Sequence, residues 1–240
     1  MSAPRPSGIR ALLFDVDGVI TDTASVHAKA WKETFDALLD ALGKTPEFSH
    51  ADYEAYVDGK SRLDGVRSFL GSRDIDLPEG DPSDEPGAQT VEGIGRAKND
   101  RLLELIRTDG VKGYDDAARL LRAAREQGLA TAVVSSSANA REALRSVGLE
   151  DCFDTWVDGN RIDAEGIKGK PAPDAFLTAA RDLDTAAAEA AVFEDAVAGM
   201  QAGRAGSFGW VVGVDRTGHA DALRENGADV VVSDLDDVTL

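Results

Sequence analysis

Asp15 and Asp17 stand one residue apart in "FDVDGVITDT" (14–23), directly after the apolar run "IRALLF" (9–14). Alternate residues of an extended chain point the same way, so both carboxylates leave the end of a strand on one side. Three further polar clusters fall at or just beyond the ends of apolar runs: Ser135–Ser137 after "TAVV", Lys170 in "GKPAPD", and Glu194 with Asp195 after "AAVF". Lys168 is a neighbouring competitor for the role of Lys170. Carboxylates from two strands can hold a Mg²⁺ through oxygen, a lysine and a serine hydroxyl can pair with phosphate oxygens, and a spare carboxylate can attack phosphorus. Gathered in one place, these groups would make a phosphoryl-transfer site.

The elements that must gather them are legible as pattern. "IRALLF", "LATAVVS" (129–135), "AAVFE" (190–194), "FGWVVGV" (208–214) and "ADVVVS" (228–233) have the continuous apolar character of strands buried on both faces. Between the later runs lie helical stretches at 114–128, 139–148, 173–183, 196–206 and 219–227. In the first of these Ala118, Leu121, Ala124 and Arg125 fall at helical spacing. Strands alternating with helices predict an α/β fold with a parallel, doubly wound sheet, whose ligands bind outside the carboxyl ends of the strands.

One connection is too long for an ordinary crossover. After residue 14 no comparable strand appears until about residue 129, and the interval reads as helices at 25–43, 50–59, 61–71 and 96–110, with Ser61 and Asp64 at capping-box spacing. The expected division is a core domain of residues 1–22 and 111–240 with a small helical cap of residues 23–110 inserted after the first strand. Residues 72–89, rich in Pro, Gly and Asp and without periodicity, should be an exposed loop.

Charge narrows the partners. With 26 Lys and Arg against 44 Asp and Glu the formal net charge is −18, a field that repels nucleic acid and anionic membranes and demands local cations wherever a phosphate binds. The single cysteine excludes an internal disulfide. "MSAPRPSGIR" lacks the apolar stretch of a signal peptide, and no run reaches the roughly 18 apolar residues of a membrane span, so the expected location is the cytoplasm.

"DVDGV" followed by "TDT", then "VVSSS", "GKPAPD" and "VFED", in this order across residues 9–214, resemble the four motifs of the haloacid dehalogenase superfamily. The resemblance implies a Mg²⁺-dependent phosphotransferase. In it Asp15 is the nucleophile and Asp17 the general acid and base, while Ser135 and Lys170 bind the transferring phosphoryl group. Asp195, Asp15 and the Asp17 carbonyl would ligate Mg²⁺, with Glu194 as a further acceptor near it.

The cap narrows the resemblance further. "FDVDGVITDTASVHAKAW", "DGKSR" and "AKND" resemble the β-phosphoglucomutase group of this superfamily, which isomerises β-glucose 1-phosphate to glucose 6-phosphate through the 1,6-bisphosphate. By that resemblance His27 positions the general acid, Arg62 binds the distal phosphate through its bidentate fork, and Lys98 touches the sugar phosphate. Ser137 and Asn139 help hold the distal phosphate; Thr23 and Trp31 also match, Trp31 as a packing residue. Closure of the cap would bring Asp17 into line and keep water from the aspartyl phosphate. Ala138 departs from the group, which commonly carries Lys there. A sugar-phosphate phosphatase using the same nucleophile stays open as the alternative, as does a binder without turnover. The partner is a small sugar phosphate, and the resemblance implies a monomer.

Overall fold

A computed structural model describes residues 3–240. In chain order it has β1 (Ala3–Pro4) and β2 (Ala11–Phe14); α1 (Ala24–Ala41), the short α2 (His50–Asp52) running on as a π-turn over Tyr53–Val57, α3 (Arg62–Ser72) and α4 (Val91–Asp109). It continues with α5 (Asp115–Glu126), β3 (Ala130–Val134), α6 (Ala140–Ser146), β4 (Thr155–Val157), α7 (Gly159–Glu165), α8 (Asp174–Asp182) and β5 (Ala190–Glu194). Last come α9 (Val197–Ala205), β6 (Trp210–Val214), α10 (Ala220–Glu225), β7 (Val230–Val232) and β8 (Val238–Thr239). Two compact units result: the chain up to Asp22 with Val111–Leu240, and Thr23–Gly110.

In the larger unit six parallel strands lie in the order β4-β3-β2-β5-β6-β7. Successive residues of a strand face opposite sides, and the core divides accordingly. Leu12, Phe14, Ala191, Phe193, Trp210 and Val212 face α5 and α6 on one side; Ala11, Leu13, Ala190, Val192 and Val211 face α8, α9 and α10 on the other. Both faces being dry is why these strands read as unbroken apolar runs. From β2 the chain steps outward to β3 and β4, then returns to start β5 on the other side of β2. The β2/β5 pair is therefore the topological switch point, the position where open α/β sheets leave a crevice at their carboxyl ends.

Several elements depart from the sequence reading. On α5 the buried face is Asp116, Ala117, Leu120, Leu121 and Ala124, while Arg125 is exposed and Ala118 half-buried. The stripe is turned by one position because Asp116 is drawn inward by Arg216 at 2.7 Å and by the N–H of Leu235 at 2.7 Å. Edge strand β4 and helix α7 carry no usable periodicity: "TWV" is three residues long, and α7 buries only Gly159 and Ile162. The two-stranded pairing of β1 with β8 joins segments too short for any pattern to reveal.

The smaller unit packs around an aromatic cluster. Trp31 and Phe35 of α1 stack at 5.0 Å, and Phe35 meets Phe69 of α3 at 4.1 Å. Gly65 lets α3 approach, since a Cβ there would sit 3.2 Å from the Trp31 ring. Ser61 caps α3, accepting from the N–H of Asp64 and donating to its carboxylate at 2.8 Å; the reciprocal box forms at Ser49 and Asp52 instead.

Residues 73–90 contain no helix or strand, yet they are stitched to α4. The first orphan N–H groups of that helix go to this segment: Val91 to the carbonyl of Pro78, Glu92 to that of Glu79, and Gly93 to the Thr90 hydroxyl at 2.9 Å. Thr90 Oγ1 in turn donates to Asp84 at 2.6 Å, and Arg96 to the Pro82 carbonyl at 2.8 Å. Among the described residues no helix is long and apolar enough to cross a membrane.

Candidate active site

Asp15 follows β2 and keeps its ladder bond, its N–H donating to Phe193 at 2.9 Å. The chain then turns tightly. Gly18 donates to the Thr21 carbonyl at 2.7 Å, the N–H groups of Ile20 and Thr21 both donate to Val16, and Asp17 bridges to Thr21. Gly18 has φ +80, a conformation that favours glycine, and a Cβ there would fall 1.7 Å from Asp195 Oδ2. The Asp195 carboxylate therefore lies against the turn that carries Asp15 and Asp17.

Lys170 is the hub. Its ammonium is 2.6 Å from Asp15 Oδ1, 3.1 Å from the carbonyl of Val134 and 2.5 Å from Glu194 Oε1, the last outside hydrogen-bonding alignment. The three charged side chains are 2% (Lys170), 10% (Asp15) and 1% (Glu194) exposed, so water does little to screen them. Burial works against the Lys170 charge, but Asp15 and Glu194 outweigh it and hold the ammonium charged, above its ordinary range. Burial pushes Asp15 upward against the pull of Lys170, and the charges of Glu194 and Asp17 push it further. The competitor Lys168 is exposed and takes no part.

Glu194, expected near a metal, is engaged at both oxygens: Oε1 faces Lys170, and Oε2 accepts from the N–H of Ala196 at 2.8 Å. Its position is that of a partner to Lys170, made possible by Gly199, where a Cβ would fall 2.0 Å from the carboxylate. Ser135, 1% exposed, extends β3, and its hydroxyl accepts from Ser137 N–H at 3.1 Å; the Ser137 hydroxyl accepts from Asn139 N–H at 3.2 Å. This serine loop rests on Gly159 and Asn160. Gly159 N–H donates to Ser137, Asn160 Nδ2 donates to the Ala138 carbonyl at 2.8 Å, and a Cβ on Gly159 would come 2.7 Å from Ala138 N.

Among the described residues no group of three His, Cys, Asp or Glu side chains is spaced to hold a metal ion by itself. The expected ligand set needs only two carboxylates, Asp15 and Asp195, plus the main-chain carbonyl of Asp17. That set fits a hard divalent cation: all donors are oxygen, and the carboxylates around Asp15 outnumber the single ammonium that faces them.

Within the smaller unit the expected residues form two linked pairs. Lys98 on α4 is 4% exposed, lies 3.0 Å from His27 Nδ1 on α1 and sits 5.0 Å above the Trp31 ring. Arg62, first residue of α3, donates to Asn99 Oδ1 at 3.1 Å. Thr23 is buried just ahead of α1, its carbonyl accepting from the N–H of His27 at 2.8 Å.

Sequence reasoning passed over Asn99, Tyr114, Arg216 and His219. Asn99 stands inside "AKND", so that motif held a signal. Tyr114 hydrogen-bonds Asp22; burial and then the Asp22 charge push its hydroxyl up to about 12, and Arg216 stacks on its ring at 4.2 Å. These pairings join distant segments, and no local pattern announces them.

The profile of the haloacid dehalogenase-like hydrolases matches residues 9–206. A β-phosphoglucomutase of Mycobacterium bovis is 53% identical over 239 residues, covering 96% of this chain and 91% of that protein. One from Bacillus subtilis is 33% identical over 233 residues, with 97% and 92% covered. The crystal structure of a Clostridium difficile β-phosphoglucomutase matches with a TM-score of 0.76 at 26% identity, over 95% of this chain and 92% of that one. A lysine pinned between carboxylates at the switch point of a parallel sheet, a helical unit inserted after its first long strand, and sequence agreement over most of the length make one statement: the chain is an enzyme and belongs to the haloacid dehalogenase-like hydrolase family.

Proposed function

We propose that the enzyme is a Mg²⁺-dependent phosphoryl transferase that converts β-glucose 1-phosphate to glucose 6-phosphate through the 1,6-bisphosphate. The observation that carries the reaction class is the buried contact of Lys170 with Asp15 at 2.6 Å. The choice of sugar rests on likeness to the β-phosphoglucomutase of Mycobacterium bovis over most of the chain.

In this reading an Asp15 carboxylate oxygen attacks phosphorus as the bond to the leaving oxygen breaks, giving an aspartyl phosphate. Lys170 offsets the repulsion between two anions, and Glu194 keeps its ammonium in place. Asp17 gives a proton to the leaving oxygen and takes one from the sugar hydroxyl in the return transfer. Ser135 and the loop through Ser137 and Asn139 hold phosphate oxygens. A bound Mg²⁺, held by Asp15, Asp195 and the Asp17 carbonyl, supplies further charge neutralisation at the phosphoryl group. In the smaller unit Arg62, oriented by Asn99, binds the second phosphate; Lys98 touches the sugar phosphate, His27 positions the general acid Asp17, and Thr23 seats His27.

The test is to supply Mg²⁺, β-glucose 1-phosphate and a trace of the bisphosphate, following glucose 6-phosphate and inorganic phosphate together, with Asp15→Asn as the blank. Glucose 6-phosphate without matching inorganic phosphate supports the mutase. Inorganic phosphate alone overturns it in favour of a sugar-phosphate phosphatase.

A further inference from the structure

The peptide between Asp195 and Ala196 is held at both of its polar groups. Its N–H donates to Glu194 Oε2 at 2.8 Å, and its carbonyl lies 2.8 Å from Nε2 of His219. A carbonyl only accepts, so Nε2 carries the hydrogen, and it does so whether the ring is neutral or charged. A planar unit fixed along both edges cannot rotate, and the backbone torsions flanking it are fixed with it. The direction in which Asp195 leaves the backbone follows from those torsions. Its carboxylate reaches the space left by the missing Cβ of Gly18.

The imidazole is itself braced. Nδ1 lies 2.7 Å from Thr217 Oγ1 and 3.5 Å from Asp215. Asp215 ties the loop after β6 by accepting main-chain N–H bonds from Thr217, Gly218, His219 and Ala220 at 2.6–3.3 Å. The ring is thus delivered by a strand end that carries none of the four motifs.

We propose that His219 is a positioning residue for the metal site, fixing the Asp195 main chain so that its carboxylate is presented to the turn bearing Asp15 and Asp17. The proposal rests on the reading of Asp195 as a metal ligand. Groups one step removed from a metal commonly govern affinity by tenfold or more, because they set ligand direction.

The test measures Mn²⁺ binding directly, by the electron paramagnetic resonance signal of the unbound ion, without substrate. His219→Phe keeps the ring shape and loses the donor; its dissociation constant should rise about tenfold. His219→Gln, whose amide reaches the same carbonyl, should stay within about threefold of wild type, a rescue that loop packing alone does not explain. His219→Asn, too short to reach Asp195, serves if the Phe variant does not fold and should weaken binding as Phe does. Asp195→Asn is the control. If it weakens binding while His219→Phe and His219→Asn leave it unchanged, the positioning role is wrong and the metal reading stands. If Asp195→Asn also leaves binding unchanged, the metal reading fails, and the proposal with it.

Discussion

Gly18 and Asp195 occupy each other's space: the Cβ that any other residue would place at 18 falls 1.7 Å from the Asp195 carboxylate oxygen. The loops after β2 and β5 therefore meet through a side chain on one and a bare backbone on the other. Gly18→Ala should add strain at φ +80, of about 1–2 kcal/mol, and drive the carboxylate away. The expected loss is about a hundredfold in kcat, the effect of a misplacement of roughly 1 Å in a site whose geometry is set by its neighbours. Steady-state kinetics at saturating Mg²⁺, beside a urea unfolding curve, checks both effects.

Lys170→Met removes the positive charge that, among the described residues, contacts both the buried Asp15 and Glu194. Breaking a buried ion pair on one side costs about 3–5 kcal/mol, which the urea midpoint would show. Asp15→Asn should abolish turnover. Because the two side chains touch, the double variant should lose less stability than the two single losses added together. Simple additivity would mean that the contact has no energetic weight.

Arg62→Ala should lower kcat/KM for the bisphosphate about a hundredfold, the value of two charge-assisted hydrogen bonds at roughly 1.5 kcal/mol each. Arg62→Lys should recover little, because an ammonium cannot reproduce the planar fork. Asn99→Ala, which leaves the charge but releases its orientation, should fall between wild type and Arg62→Ala in the same assay.

Asp116 and Arg216 form a buried pair at 2.7 Å, 6% and 14% exposed. Burial pushes the Asp116 carboxyl up, but Arg216 and the N–H groups of Leu235 and Ala117 outweigh that and hold it below the usual carboxylate range. A depressed acid stabilises the fold at pH above its unfolded value and ceases to do so as pH falls through the folded one. Asp116→Asn should cost about 3 kcal/mol at pH 7 and flatten the loss of stability that sets in as pH falls below the ordinary carboxylate range. Urea midpoints across that range give the comparison.

Much of the layout of the candidate site was legible because strands buried on both faces cannot hide: "IRALLF", "TAVV" and "AAVF" announce where Asp15, Ser135 and Glu194 emerge. What each group does after emerging was less so. For Glu194 the sequence offers a place near a metal, and its contacts with Lys170 and the Ala196 N–H, which depend on Gly199, could not be read from any local pattern. Asp116 breaks the apolar stripe of α5 because its partner, Arg216, lies a hundred positions along the chain. Arg216 and His219 follow β6, whose end carried no motif; His219 reaches Asp195 only once β5 and β6 are neighbours, and Arg216 reaches Asp116 and Tyr114 only once the chain at the start of α5 is folded against that strand end. Short elements such as β4 and the π-turn at Tyr53–Val57 are below the length at which periodicity means anything.

The segment 73–90 has the composition of slack chain, and its hydrogen bonds make it the anchor of α4's first turn. That helix carries Lys98 and Asn99, the partners of His27 and Arg62. A change in the anchor would act on both pairs at once, with neither pair itself altered. In the proposed reading, substrate preference can be tuned through edits to this segment as well as through the residues that bind, and libraries aimed at new sugar phosphates should include it.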